Sequence, residues 1–339
     1  MTQRRSVCWV VVTVAMCLSP RPTWGQDPRQ VVVYTSVDEV LSTEIFSWIE
    51  QQTGLDVLPV FDSEATKTTG LYLRLIQEAS RPRADVFWNG EFSRTLLLKE
   101  KGLLDSYRPR MSKQIPERFK DPEGFWTGLS ARARVLAFNP SLVEAAKVPR
   151  SVTALLGEEW KGRVIWANPM FGTTGTHCAA LLARMGEPPF TSLMARWKER
   201  FRIVRSNGEV ARLVAEGAFP LGLTDTDDVF RMKLEGRPID AVPFDSEGEG
   251  TLLIPNTVAI LAKCPHPEAA REFVEALLDP EVERRMAFSP SRQLPVREDV
   301  EVPEDLLAWR SIRVLPVFLD AVAREADRAM EVLKPMIQE

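Results

Sequence analysis

Histidine is almost absent from these 339 residues: His177 and His266 stand far apart, in no metal-binding spacing. Cysteine is nearly as scarce. Cys8 and Cys17 fall in the first 25 residues, which leaves Cys178 and Cys264. No zinc spacing can be built from these. Two cysteines make no disulfide framework even in an exported chain, and both read as buried small residues, with a bridge between them as the alternative. Tyrosine occurs only at 34, 72 and 107. Beyond the N-terminus no apolar run reaches the ~20 residues that a bilayer span requires. There is no G-x-S-x-G elbow, no phosphate-loop motif, no paired-histidine motif, no fixed-period repeat and no low-complexity stretch. An enzyme would need a nucleophile with its base, or a metal with an open position, and neither is written in a motif here.

What is present begins with a leader. Arg4 and Arg5 precede an apolar run from Val7 to Leu18, followed by Ser19, Pro20 and Pro22. A charged start, a short apolar run and a small residue before a cut mark a secretory signal peptide over residues 1–25, cleaved after Gly25. An uncleaved anchor is the alternative. A lipid anchor at Cys17 is disfavoured by Met16, because a small residue is wanted there. Removing Arg4, Arg5 and Arg21 takes the net charge from -4 to -7. Such an acidic chain is a poor nucleic-acid binder. With 45% hydrophobic and 27% charged residues it can bury a full core, and its length suggests about two domains.

Along the chain, short apolar runs alternate with helical patterns. Val31–Tyr34, Leu55–Phe61 and Ala84–Trp88 read as strands; Glu39–Gln52 reads as a helix stopped by Thr53-Gly54, and Ser63–Thr66 as the capped opening of another. The pattern repeats with strands at Val135–Phe138, Arg163–Trp166, Leu221–Leu223 and Val258–Ala262. Helices are expected over Val152–Trp160, Cys178–Met185, Glu209–Glu216 and Pro267–Leu278, with a broken helical tail over Glu304–Met336. Alternation of this kind predicts an α/β fold with a largely parallel sheet, whose ligands sit at the carboxyl ends of strands. Ser36, Asp38, Glu91 and the Asp225-Thr226-Asp227-Asp228 run fall at such ends.

The order and spacing of several segments carry a resemblance. They are Val32–Ser36, Ala84–Asn89, Leu129–Val135, Ser206–Asp228, and the turn from Ala287-Phe288-Ser289-Pro290 to Leu294-Pro295. The chain resembles the type 2 periplasmic solute-binding proteins, close to the ferric-ion-binding subgroup of bacterial ABC importers. The resemblance implies the type 2 periplasmic-binding-protein fold: two α/β lobes joined by crossover strands around a ligand cleft. It places a first lobe at residues 26–132 plus 255–339 and a second at 133–254. It implies an ABC permease and ATPase as partners, no nucleic acid, a monomer, a periplasmic or extracytoplasmic location, and no enzymatic activity.

The ferric relatives hold metal on a neighbouring pair of tyrosines, and the matching segment here, Leu223–Asp228, has none. The family histidine after the first strand is also missing, with Val37 or Asp38 near its place, while Glu91 stands near a liganding glutamate. Carboxylates at Glu91, Asp225, Asp227 and Asp228 remain as metal ligands, since hard cations favour anionic oxygen. For an anion, the expected holders are Arg132 and Arg134, alternating on one strand, and the Thr174-Gly175-Thr176 helix start, with Ser36, Asp38, Asn207 and Thr226 completing the lining. Each has a plainer reading. The aspartates and threonines are good helix caps, the arginines fit a solvated strand edge, His177 fits a loop, and Trp88 fits the core or the cleft lining. Two cargoes stay open: a metal with a synergistic anion, or a small organic anion such as a phosphorylated or phosphonate compound.

Overall fold

The computed structural model describes residues 28–62 and 69–338, so the leader and the expected helix opening at Ser63–Thr66 lie outside the described residues. The chain begins as β1 (Gln30–Thr35), α1 (Glu39–Thr53), β2 (Asp56–Phe61), α2 (Thr69–Gln77), β3 (Val86–Asn89), α3 (Ser93–Glu100) and β4 (Leu104–Asp105). A long strand β5 (Thr127–Phe138) follows, then α4 (Val152–Leu155), β6 (Val164–Ala167), α5 (Gly172–Met185), α6 (Glu187–Arg200) and β7 (Phe201–Val204). Next come α7 (Asn207–Ala215), β8 (Leu221–Asp225), α8 (Thr226–Leu234), β9 (Asp240–Pro243) and β10 (Leu253–Leu261). The C-terminal part is helical: α9 (Pro267–Leu277), α10 (Pro280–Phe288), α11 (Glu304–Leu307) and α12 (Leu319–Gln338).

The strands run in the order β2-β1-β3-β10-β5-β8-β6-β7, with β4 on β10 and β9 on β5. Pairing is parallel within β2-β1-β3 and within β8-β6-β7, and antiparallel through β10 and β5 between them. The strand β5 therefore belongs to both halves. Its Thr127–Ala133 stretch pairs with β10, and its Arg134–Phe138 stretch pairs with β8 and β9. Two α/β lobes result, joined through this strand.

Local sequence explains the elements. The β-branched run Val31-Val32-Val33 favours a strand. The helix α1 stops at Gly54, whose left-handed φ of 70° lets its N–H reach the Glu50 carbonyl. In the first half, Trp88 meets Phe46 edge-on at 5.6 Å and is fully buried, so it belongs to the core and not to the cleft lining. In the second half, Trp166 and Trp197 pack edge-on at 5.3 Å. At Gly222 on β8 an added Cβ would come within 2.5 Å of Val210 and 2.9 Å of Val214, so the missing side chain is what seats α7 on the sheet. Along α12 the buried Val322, Ala323, Ala326, Ala329 and Leu333 recur at helical spacing. That stripe packs against α5 and α6 as well as α3.

Differences from the sequence reading are local. Gly157 interrupts the expected Val152–Trp160 helix, leaving α4 and a short 3-10 turn. The polar Phe171–His177 stretch ahead of the expected Cys178–Met185 helix is itself helical from Gly172 onward, with Thr173, Thr174 and Thr176 buried, so packing overrides the weak helix propensity of Gly and Thr there. His177 is thus a buried helix residue, edge-on to Phe244 at 5.1 Å. Burial, with the nearby Arg134 charge, drives its pKa well below the usual histidine value. Cys178 and Cys264 are both free thiols, and burial pushes them up to about 12 and about 11. No helix among the described residues is long and apolar enough to cross a membrane.

Candidate functional site

The carboxyl ends of β1, β3, β6, β7 and β8 converge on one cavity of about 640 Å³. The residues just past those ends line it: Ser36 and Asp38, Gly90 and Glu91, Asn168, Arg205 to Gly208, and Asp225 to Asp228 without Thr226. Each end leads into a helix, so the first turns of α1, α3, α5, α7 and α8 surround the same space. First-turn amides lack intrahelical acceptors, and helix dipoles place partial positive charge there.

On the side of α5, α7 and α8 the cavity carries charges in pairs. Arg134 Nη1 lies 2.7 Å from Asp225 Oδ1, and both side chains are buried. The other Asp225 oxygen accepts from the Thr173 hydroxyl and from Asn207 Nδ2 at 2.9 Å. Asn207 Oδ1 in turn accepts from Arg134 at 3.3 Å and from the Thr174 hydroxyl at 3.0 Å. Arg134 sits behind the lining as a charged support. Asp225 precedes α8 but makes no side-chain cap bond, so the plain capping reading does not describe it. Arg132 Nη1 lies 3.3 Å from Asp227 Oδ2, and Arg231 Nη2 lies 3.0 Å from Asp228 Oδ1. Burial opposes the Arg132 charge, but Asp227 and Asp225 beside it raise its pKa above the ordinary arginine value. Asp228 also accepts from the Thr224 hydroxyl at 3.2 Å. Burial, reinforced by Asp227 and Asp225, pushes the Asp228 carboxyl up to about 8.

One carboxylate oxygen from each of Asp225, Asp227 and Asp228 can be found within 4.8 Å of the others, the geometry of a three-carboxylate cation site. The four acids expected to ligate metal are thus split, because Glu91 is held elsewhere. Its Oε1 accepts from the Arg94 amide and from Asn89 Nδ2, both at 3.0 Å, and its Oε2 accepts from the Ser93 amide at 2.5 Å and the Thr176 hydroxyl at 3.1 Å. The carboxylate lines the cavity, but these donors fill it as the capping group of α3.

The remaining expected residues sort by position. The Ser36 hydroxyl donates to Asn89 at 2.6 Å and accepts from the Gly90 amide at 2.9 Å. Asp38 lies 4.0 Å from Arg231, an approach across the cavity from α1 to α8. Thr174 lines the cavity, whereas Gly175 and Thr176 are one step too deep in α5. Thr226 turns its hydroxyl to the Ala133 amide at 3.1 Å. The tyrosines lie away from the lining. Tyr34 donates to Glu78 at 3.0 Å, Tyr107 to Glu275 at 2.8 Å, and the Tyr72 ring lies beneath Arg94. Sequence reasoning missed Arg205 and Arg231. Arg231 had a signal: it follows Asp228 by three residues, the spacing of a helical ion pair.

Fold and cleft together define a two-lobed solute receptor. The sequence pattern of the bacterial extracellular solute-binding proteins matches residues 82–316, and the chain belongs to that family. The chain is similar to an Fe(3+)-binding periplasmic protein of Serratia marcescens, 24% identical over 253 residues that make up 72% of each protein. Iron-bound HitA from Pseudomonas aeruginosa superposes with a TM-score of 0.82 at 20% identity, over 91% of this chain and 99% of that one. AfuA from Actinobacillus pleuropneumoniae, with fructose-6-phosphate bound, does so with a TM-score of 0.78 at 20% identity, over 91% and 98%. At such identities the superpositions speak for the fold.

Proposed function

We propose that this chain is the solute-binding component of an ABC importer. In this reading the leader is cleaved after Gly25, and the mature monomer works outside the inner membrane and hands cargo to a permease and ATPase. The carrying observation is the cavity at five strand ends, where Asp225, Asp227 and Asp228 are each matched by an arginine. A receptor and not an enzyme is supported by the family to which residues 82–316 match, the bacterial extracellular solute-binding proteins. The lobe limits 26–132 plus 255–339 and 133–254 are supported by the switch of β5 pairing between Ala133 and Arg134.

A cleft that sets carboxylates beside arginines favours cargo that carries both signs, since buried charge must be matched. A ferric or other metal ion bound with a small anion meets that condition. The three aspartates would take the metal, and Arg132, Arg205 and Arg231 would take the anion. The names of the iron-binding relatives support this cargo. A second reading, a phosphorylated organic anion whose hydroxyl or amino groups meet the aspartates, is favoured by one observation: no tyrosine lines the cavity. Native mass spectrometry of the purified mature protein identifies copurified cargo. Calorimetry of metal-stripped protein with ferric citrate, and separately with a sugar phosphate, separates the two. Tight ferric binding that survives Asp227→Asn with Asp228→Asn would rule out the role given to these carboxylates, and binding of neither probe would count against both cargoes.

A further inference from the structure

Four side chains at the cavity wall close a ring of three hydrogen bonds and one ion pair. Arg132 Nη1 reaches Asp227 Oδ2 at 3.3 Å, and Gln293 Nε2 donates to the same oxygen at 3.3 Å. Gln293 Oε1 accepts from Asn256 Nδ2 at 3.1 Å, and Asn256 Oδ1 accepts from Arg132 Nη2 at 3.3 Å. The chemistry allows one orientation only. Arginine is purely a donor and an ionised carboxylate purely an acceptor, so both amide groups must point as they do. Asn256 and Gln293 are buried and do not line the cavity, whereas Arg132 and Asp227 do.

The ring's members come from distant parts of the fold. Arg132 and Asn256 sit on the crossover strands β5 and β10, Asp227 opens α8, and Gln293 follows α10. The strands are irregular just there. The β5–β10 register shifts between Pro255 and Asn256, and Ser130 adopts a left-handed φ of 43°. That strained residue is pinned on three sides. Its amide donates to buried Glu283 at 2.7 Å, its carbonyl accepts from Asn256 at 3.3 Å, and the next residue, Ala131, exchanges backbone bonds with Leu294 at 2.6 and 2.7 Å. Glu283 is in turn held by buried Arg297 at 2.8 Å. One side of the ring is therefore anchored in the first half of the molecule, and the other side is the cavity-lining pair.

We propose that Gln293 and Asn256 are positioning residues that tie the Arg132–Asp227 pair to the crossover strands, so that a solute engaging that pair loosens the joint between the lobes. The proposal rests on the reading of the cavity as the solute site. A cargo that draws Asp227 toward itself removes the acceptor of Gln293, and one that draws Arg132 removes the donor to Asn256. Either change opens the ring at the irregular strand segment.

The test is amide hydrogen exchange on the mature chain. Without any ligand, Gln293→Leu should speed exchange at residues 131–133 and 253–257 by about 5- to 10-fold, the loss of roughly one net buried hydrogen bond. Exchange in β1 and β6 should not change. Gln293→Met keeps the length and bulk of the side chain but removes its donor to Asp227 and its acceptor for Asn256, and should speed exchange as much as Gln293→Leu does. A purely space-filling role would not respond to that change of chemistry. Unchanged rates at the crossover in Gln293→Leu, or wild-type rates in Gln293→Met, overturn the proposal. A second arm uses ferric citrate and a sugar phosphate as probes. A probe that binds wild type should alter crossover exchange there, and in Gln293→Leu it should bind with a smaller alteration. An equal alteration in both proteins also overturns the ring's role. If neither probe binds, the cargo reading fails, and the ligand-free arm alone decides the ring.

Discussion

Glu91 and the Asp225–Asp228 cluster bring the same functional group to opposite walls of one cavity, and they are held in opposite ways. Glu91 is filled by two backbone amides, an amide side chain and a hydroxyl. Amides of a helix first turn cannot move away without unwinding it, so that carboxylate is part of the scaffold. Asp227 and Asp228 face arginine side chains instead. The partly exposed Arg231 can rotate to another anion, so its pair with Asp228 can be exchanged for a pair with cargo, while the Arg132–Asp227 pair exchanges only by giving up its bonds to Asn256 and Gln293. Asp225 combines both modes, with its arginine buried and locked by Thr173 and Asn207. A carboxylate in a cleft is thus a ligand candidate according to what holds it.

The comparison can be broken in four ways, taken from the largest effect down. Arg134→Ala leaves Asp225 buried without its charge partner and should lower unfolding free energy by about 3–5 kcal/mol in a denaturant titration, the cost of breaking a buried pair. A loss under about 1 kcal/mol, typical of a surface pair, would remove the locked role of this aspartate. Asp227→Asn with Asp228→Asn keeps the Arg134–Asp225 pair. It should weaken the cargo that calorimetry identifies by roughly 100-fold or more, as when one side of a desolvated charge pair is removed. Glu91→Ala should do the reverse. It strands the Ser93 and Arg94 amides, costs about 1–3 kcal/mol of stability, and leaves affinity for that cargo within about 3-fold. An affinity loss equal to that of the double variant would erase the distinction between the two walls.

The smallest effect is a slope with pH. The Asp228 carboxyl titrates near about 8 in the fold, above its ordinary value of 3.8. Between those values the folded chain holds a proton that the unfolded chain has lost, so this group's contribution is full below about pH 4 and falls as pH rises toward 8. Denaturant midpoints measured from pH 5 to 8 should therefore decline more steeply in wild type than in Asp228→Asn. Parallel curves would show that the crowding of Asp228 by burial and by Asp227 and Asp225 carries no energetic weight.

Much of this molecule can be read before any coordinates. Alternation of strands and helices determined the α/β class. The Thr53-Gly54 stop and the strand ends at Ser36 and Asp225 are local signals, and all stand where the sequence places them. Such features depend on a few adjacent residues, on turn sterics, on capping bonds and on the apolar period, and these act within one or two turns. The state of each site residue was beyond that reach. Nothing near Glu91 announces that Thr176 arrives from α5 to complete its shell, and nothing near Arg134 announces that it is buried against Asp225. The longest single bond in the ring of Arg132, Asp227, Gln293 and Asn256 spans 124 residues of sequence. Which donors fill a carboxylate is decided by packing between distant segments, because hydrogen-bond geometry is set to tenths of an ångström and only the assembled sheet brings those segments to that distance.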